Sequence, residues 1–296
     1  MTRPVLIIAN PVSGGGKGEE LANQLALELE RRGTPTTTQL TSLERSGRAI
    51  GRDVEPGEFS AIVVVGGDGS MHDVLAELGD PAAPVGLLPA GTANVFAAEV
   101  GISRRPANVA DVVLAGRTIE AARPTVNGEP FFLFVGAGID ARIVRRVEGR
   151  RKRKGHLGGM SQWVVPAWAE FGQRPLADLS VSVDGRLLEG LAQVLVTRVR
   201  SYAGMMRMPA GIDIQDGALH VLSFPRKAKP RYLATAGRAV LGRMKPGAEV
   251  SHIVTRGPVR IESHAGEEPF HCDGSDAGTL PAEITLVGDT VRLLVP

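Results

Sequence analysis

The sequence holds a single cysteine, Cys272, among 296 residues. An intramolecular disulfide is therefore excluded, as expected of a protein kept in a reducing compartment. Aromatic residues make up only 4% of the chain. None falls in the densest run of positive charge, so the stacking platform of a single-strand nucleic-acid binder is missing and no nucleic-acid partner is expected. No apolar run approaches the ~20 residues of a membrane-spanning helix. The opening stretch MTRPVLIIANP has too short an apolar run for a signal peptide and passes straight into glycines. The net charge is only +2, which directs the whole molecule at no particular partner. A cytoplasmic protein remains. Its 43% hydrophobic content supports a real core, and its length suits two domains.

Against these absences stands an abundance of glycine, 37 residues, concentrated where apolar runs end. Residues 61–74 read AIVVVGGDGSMHDV. The run Ala61–Val65 has the character of a buried parallel strand, and Gly66-Gly67-Asp68-Gly69 opens its carboxyl end into a turn and a helix. Ligands of open α/β sheets bind beyond that end of the strands. Three glycines around one carboxylate offer bare backbone N–H groups and one charge, a suitable kit for phosphate and Mg²⁺. The same residues could also form a plain strand-to-helix turn around a capping Asp.

Two more runs repeat the arrangement. Val5–Ala9 ends in Asn10-Pro11-Val12-Ser13-Gly14-Gly15-Gly16-Lys17-Gly18, and Val85–Leu88 breaks at Pro89-Ala90-Gly91-Thr92-Ala93-Asn94. The first is no Walker A loop, because no Ser or Thr follows Lys17. Lys17 could reach a phosphate or simply be solvated. Helices are predicted over Gly18–Arg32, with Leu21, Leu25 and Leu29 as its stripe, and over Leu43–Gly51, capped from Thr41-Ser42. A third is expected over Ser70–Leu78. Strand–helix alternation over residues 1–116 predicts a doubly wound α/β layer.

Beyond Gly116 hairpin signals take over, Asn127-Gly128 and Asp184-Gly185, with strand-like runs as far as Thr290–Val295. Helical patches fall near Ala141–Glu148, Met160–Phe171 and Arg231–Arg243. The expected organisation is an α/β domain over 1–117 and a mainly antiparallel β domain over 118–296. Eight cations lie between Arg142 and Lys154. They form either a solvated loop or a contact for an anionic membrane, where each gains about 1 kcal/mol. Asp213 and Asp216 stand three apart. A turn could bring both to one ion, or they could belong to a surface turn ending in Asp216-Gly217.

Taken together, NPVSGGGKG at 10–18, VVVGGDGSMHDV at 63–74 and LPAGTANVFA at 88–97 resemble the diacylglycerol kinase and sphingosine kinase superfamily, in particular its bacterial soluble lipid kinases. VGAGIDA at 135–141, KGHLGG at 154–159, YAGMMRMPAGIDIQDGALHV at 202–221 and DGS at 273–275 follow in the family's order, so the resemblance spans nearly the whole chain. GGDG alone is shared with NAD kinases and phosphofructokinases. An NAD or sugar kinase is a poorer match, because NPVSGGGKG and the substrate-side motifs are not theirs.

The resemblance implies a phosphofructokinase-like domain that binds ATP and a β-rich domain that closes over a lipid alcohol. The γ-phosphoryl group would pass to a hydroxyl of a diacylglycerol-like or other amphipathic lipid. Nucleotide contacts would come from Asn10, Pro11, Val12, Ser13 and Gly14, from Thr41, from Gly66, Gly67, Asp68, Gly69, Ser70, Met71 and His72, and from Thr92. Mg²⁺ would be held by Asp213 and Asp216 with the carbonyl of Ala218, and Asp68 would connect it to the active site. Peripheral attachment at the inner membrane surface through Arg142–Lys154 fits such a substrate, and self-association as a homodimer stays open.

Four positions depart from the family pattern. Ser275 stands where the family carries the Glu taken as base, and a serine hydroxyl is far too weak a base at neutral pH. Asp68, Asp273 or Asp276 are the carboxylates left to substitute. His72 replaces an amide, Val95 replaces an Asp, and Arg198 stands near a usual Asn. The departures leave a second reading open, a degenerate member that binds nucleotide or lipid without efficient turnover.

Overall fold

The computed structural model describes residues 3–79, 83–154, 170, 172, 175–203, 206–226, 229–244, 246–247 and 250–296. The helical patch expected over 160–171 and the KGHLGG segment beyond Lys154 fall almost wholly outside them. The chain forms two compact units. One comprises residues 1–121 and 289–296, the other residues 122–288.

The first unit is built on a six-stranded sheet. Its order is Thr36–Leu40, Val5–Ala9, Ala61–Gly66, Val85–Pro89, Thr290–Leu294 and Thr118–Ala122. The first five pair in parallel, with Val5 opposite both Thr36 and Ala61, Ile62 opposite Val85, and Leu293 opposite Val85 on its other side. Val5–Ala9, Ala61–Gly66 and Val85–Pro89 are buried at every position, as continuous apolar runs in a covered parallel sheet require. The strand nearest the carboxyl terminus is a correction. Thr290–Leu294 was expected in the β-rich domain, but it lies in this sheet with Leu293 beside Val85. Its alternation of buried Val291, Leu293 and Leu294 with less covered residues suits either kind of sheet, so the pattern could not choose.

Helices also differ in detail. Gly18–Arg31 buries Ala22, Leu25 and Leu29, and Leu21 is only half covered. The next helix is Gly47–Arg52 rather than Leu43–Gly51. Ser46 caps it by accepting the Ala49 N–H, whereas Ser42 Oγ accepts from the N–H groups of Glu44 and Arg45 to hold a separate turn. Gly51 then lies against Val74, where a Cβ would come 2.5 Å from the Val74 carbonyl, so this helix packs tightly on the helix Asp68–Glu77.

The second unit is a curled antiparallel sheet of eleven strands. Both expected hairpin turns are present, with Asn127 and Asp184 at φ 50° and 48° followed by Gly128 and Gly185 at 86° and 72°, the paired positive φ of a type I′ turn. One long strand, Arg186–Thr197, follows the second turn, with a bulge between Leu188 and Leu191. A third I′ turn, Asp273-Gly274, joins Pro269–Cys272 to the exposed strand Ser275–Thr279. Val135, Val194, Val196, Val221, Ile261 and Phe270 anchor the core.

Candidate active site

Within the first unit the three glycine-rich loops meet at the carboxyl ends of adjacent strands. Their backbones touch. A Cβ on Gly91 would stand 2.6 Å from the Gly67 Cα, and one on Gly14 would stand 3.1 Å from the Ala90 carbonyl oxygen. Gly66 is equally constrained, since its Cβ would lie 2.5 Å from Ser70 Oγ. The Ala90 N–H donates to the Gly66 carbonyl at 2.8 Å, and the Asn10 N–H donates to the Val65 carbonyl at 3.1 Å. Asn10 also holds its own loop, accepting the Val12 N–H at 3.2 Å, while its amide reaches Ser70 Oγ at 3.5 Å. Thr41 joins the same end of the sheet, its N–H donating to the Ala9 carbonyl at 2.8 Å.

Asp68 fastens the second loop to the third. Its carboxylate accepts the N–H groups of Val95 at 2.8 Å and Phe96 at 3.0 Å, the first turn of the helix Val95–Val100. Asn94 supports that turn in the left-handed conformation and exchanges two hydrogen bonds with the Gly91 peptide groups. Val95 therefore contributes through its backbone, and its side chain is buried. The ten-residue helix Asp68–Glu77 receives no side-chain cap from Gly67, so its first-turn N–H groups point at the loop cluster uncapped by that residue.

His72 faces the helix Gly47–Arg52, with Nε2 3.4 Å from an Arg48 guanidinium nitrogen. The same guanidinium lies 3.7 Å from Asp73 and 3.6 Å from Glu77. Burial raises the Asp73 carboxyl above its ordinary value, against the opposing pull of His72 and Arg48. His72 is thus part of a charged seam between two helices.

The acceptor-side residues lie in the second unit. Asp273 is buried, and its carboxylate accepts three backbone N–H groups, from Phe132, Leu133 and Phe134, at 2.8–2.9 Å. Asp276 pairs with Arg145 through two bonds of 2.8 and 2.9 Å. Ser275 begins an exposed strand. Two of the three carboxylates considered as substitute bases are thereby committed to holding the unit together, and Asp68 is held by Val95 and Phe96.

Arg198 is the largest fully buried side chain among the described residues, 0% exposed. Its guanidinium donates to the carbonyls of Ala122 at 2.6 Å, Phe132 at 3.2 Å and Ile214 at 2.9 Å. Burial lowers its pKa to about 10, partly offset by Asp273 and Asp216. It stands between Asp273 and the loop 213–218. In that loop Asp213 accepts the Gln215 N–H at 2.9 Å, and Asp216 accepts the Ala218 N–H at 2.8 Å and lies 2.6 Å from His220 Nε2. A six-coordinate Mg²⁺ needs several free hard oxygens. Each Asp216 oxygen has one partner and keeps a further lone pair, so the turn brings together Asp213, Asp216 and the Ala218 carbonyl as the residues that would hold such an ion, beside the Arg198 guanidinium. No step of the reaction is assigned to a metal there.

Asp216 starts a relay. An ionised carboxylate only accepts, so the hydrogen sits on His220 Nε2, and His220 Nδ1 then accepts from His252 Nε2 at 2.9 Å. Burial first, and His220 second, lower the His252 pKa from 6.5. A depressed histidine is stabilising while neutral. That contribution is present above about pH 6.5 and is lost as the pH falls through the folded-state value. The urea midpoint of the second unit is expected to drop between about pH 7.5 and 5.5, and less steeply in His252→Leu.

Asp140, unassigned by sequence reasoning, centres a second buried cluster. It accepts from the Ala141 N–H at 2.8 Å, Tyr202 Oη at 2.7 Å and Gln193 Nε2 at 2.9 Å, with His271 Nε2 at 3.2 Å. Only glycine at 136 leaves room for His271 and Asp140 together, because a Cβ there would collide with both. The four-residue spacing of Gly136 and Asp140 inside GAGID was the available signal. Following Asp140, the first three arginines of the basic run are in ion pairs, Arg142 with Glu268, Arg145 with Asp276 and Arg146 with Glu170.

Residues 4–123 match the diacylglycerol kinase catalytic domain, and residues 134–295 match the YegS C-terminal NAD kinase beta sandwich-like domain. The chain belongs to the diacylglycerol kinase catalytic-domain superfamily. It is 26% identical over 299 residues to a diacylglycerol kinase of Bacillus subtilis, covering 98% of this chain and 95% of that one. A diacylglycerol kinase of Mycobacterium tuberculosis is 27% identical over 301 residues, covering 99% and 95%. A diacylglycerol kinase structure from Bacillus anthracis superposes with a TM-score of 0.75 at 17% identity, over 99% of this chain and 97% of that one. An NAD kinase from Archaeoglobus fulgidus, solved in complex with ATP, gives 0.56 at 12% identity over 99% and 93%. These structures show the fold, an α/β unit and an antiparallel β unit of the kind found in both kinase groups. Among the described residues no helix is long and apolar enough to cross a membrane.

Proposed function

We propose that this member of the superfamily is an ATP-dependent lipid kinase that phosphorylates the hydroxyl of a diacylglycerol-like or other amphipathic lipid. The observation that carries the reading is the cluster of three glycine loops knitted by Asp68. Its backbone donors suit a polyphosphate, and phosphoryl transfer asks for positioning and charge neutralisation more than covalent help. In the proposed reaction the acceptor oxygen bonds to the γ-phosphorus as the bridge to the β-phosphate breaks, ADP leaves with the bridging oxygen, and the hydroxyl proton passes to water. Asp68 is the carboxylate proposed to orient the reacting groups, with Mg²⁺ arriving on the nucleotide. A loose transition state depends only modestly on a base, which makes Ser275 compatible with turnover.

The test is incubation with γ-labelled ATP, Mg²⁺ and a total lipid extract, with mass-spectrometric identification of the labelled product. One phosphorylated lipid class, lost when Mg²⁺ is chelated, supports the reading. No transfer into any lipid pool at high protein concentration overturns it and favours binding without turnover. Membrane contact through the basic run would have to rest on Arg150 and the cations after it, because Arg142, Arg145 and Arg146 are already paired.

A further inference from the structure

Acidic residues are missing from one long segment of the second unit. Between Asp216 and Glu249 the chain has no carboxylate side chain, and seven cations lie between Arg226 and Lys245. The segment contains the helix Lys229–Val240. Among the described residues Thr235 and Ala239 are buried, and Tyr232 turns towards Phe224 with ring centroids 6.3 Å apart. On the other side Arg231, Ala234, Gly237 and Leu241 follow one another at helical spacing and are exposed. A helix face that merely meets water carries charges of both signs. This one carries small and apolar residues among cations.

The helix ends in a rigid stop. The Arg243 N–H donates to the Arg238 carbonyl at 2.8 Å, and the Gly242 N–H donates to the Ala239 carbonyl at 3.0 Å, with Gly242 at φ +65°. This double closure is a Schellman motif. It fixes Val240 and Leu241, 45% and 67% exposed, beside the exposed Arg243. Two aliphatic side chains held out by a locked helix end are not the by-product of a frayed terminus.

We infer that the outer face of the helix Lys229–Val240, with Val240 and Leu241 at its tip, docks on an anionic lipid bilayer. Aliphatic side chains enter the boundary between headgroups and acyl chains, and the flanking cations meet lipid phosphates. Each cation held near an anionic surface adds about five-fold to partitioning. A second copy of the chain is a poorer occupant, because a two-fold contact would bring this acid-free face against itself. A nucleic acid would gain nothing from Val240 and Leu241 and would find the helix's aromatic residue, Tyr232, turned inward.

The inference goes beyond the proposed activity and is tested without it. The full chain is floated without nucleotide on vesicles of phosphatidylcholine alone or mixed with phosphatidylglycerol. Binding is expected only to the mixed vesicles, and it should fall as salt rises from about 0.05 M to 0.5 M. Val240→Glu with Leu241→Glu is expected to weaken it about ten-fold or more, and Arg231→Glu with Arg243→Glu similarly. Leu187→Glu, at an exposed leucine of the Leu179–Thr197 hairpin, should leave it unchanged. Thermal unfolding of each variant checks the fold. Equal binding to both vesicle types, unchanged binding by the tip variant, or a dimer that the tip variant dissolves would overturn the inference. Transfer to a short-chain acceptor dissolved in water should survive the tip variant, so failure here is distinct from failure of the kinase reading.

Discussion

Asp68→Asn is expected to reduce phosphoryl transfer about a hundred-fold or more, while nucleotide still binds. The carboxylate takes the Val95 and Phe96 N–H groups, one on each oxygen. An amide presents an acceptor to only one of them and turns its own NH₂ on the other. The third loop would then shift relative to the Gly66–Gly69 turn. Displacement of about 1 Å in a positioned reaction costs on the order of 10²-fold. Loss of a charged acceptor from a helix start should also lower the stability of the first unit by about 1–3 kcal/mol. Steady-state rates, calorimetric nucleotide binding and urea unfolding measured together separate the roles. A fall in turnover much larger than the fall in affinity points to the reacting centre. Equal, small losses in all three would leave Asp68 as a loop tie only.

Asp273→Ala should be the most damaging single change for the second unit, costing about 4 kcal/mol. The residue is buried and accepts three consecutive backbone N–H groups. Removing it strands three donors, each worth about 1–3 kcal/mol when left unsatisfied. The loss is a large share of the 5–15 kcal/mol typical of a domain. Asp273→Asn should fall between, since asparagine tolerates the φ of 48° but replaces one acceptor oxygen with a donor. Ser275→Ala, on the exposed strand, should stay within about 0.5 kcal/mol. Urea unfolding of the three variants checks the order. Similar midpoints for Asp273→Ala and Ser275→Ala would show that the three bonds contribute little.

What could be read from the residues alone were features that neighbours in sequence decide. VLIIA, AIVVV and VGLL announce buried parallel strands, and the glycines at their ends announce loops that pack closely together. Asn127-Gly128 and Asp184-Gly185 announce tight hairpins because few residues accept positive φ twice running. Distant partners decide the rest. Asp273 meets its three donors across 139–141 residues, and Arg198 reaches carbonyls of Ala122 and Phe132 across 76 and 66. Such a carboxylate reads in isolation as a base and such a guanidinium as a surface charge. Helix starts failed for another reason. Thr41, Ser42 and Ser46 are all competent caps, and the fit of Gly47 and Gly51 against Asp73 and Val74 selects Ser46.

The return of Thr290–Leu294 to the six-stranded sheet carries a consequence for synthesis. That strand separates Val85–Pro89 from Thr118–Ala122 and gives both their neighbour. A ribosome delivers it only after all of residues 122–288. Until then the nascent first unit keeps an open flank along Val85–Pro89, and the pairing sites of Thr118–Ala122 wait with it. The β unit therefore has time to fold as an excursion from an unfinished sheet, and residues 289–296 complete that sheet afterwards.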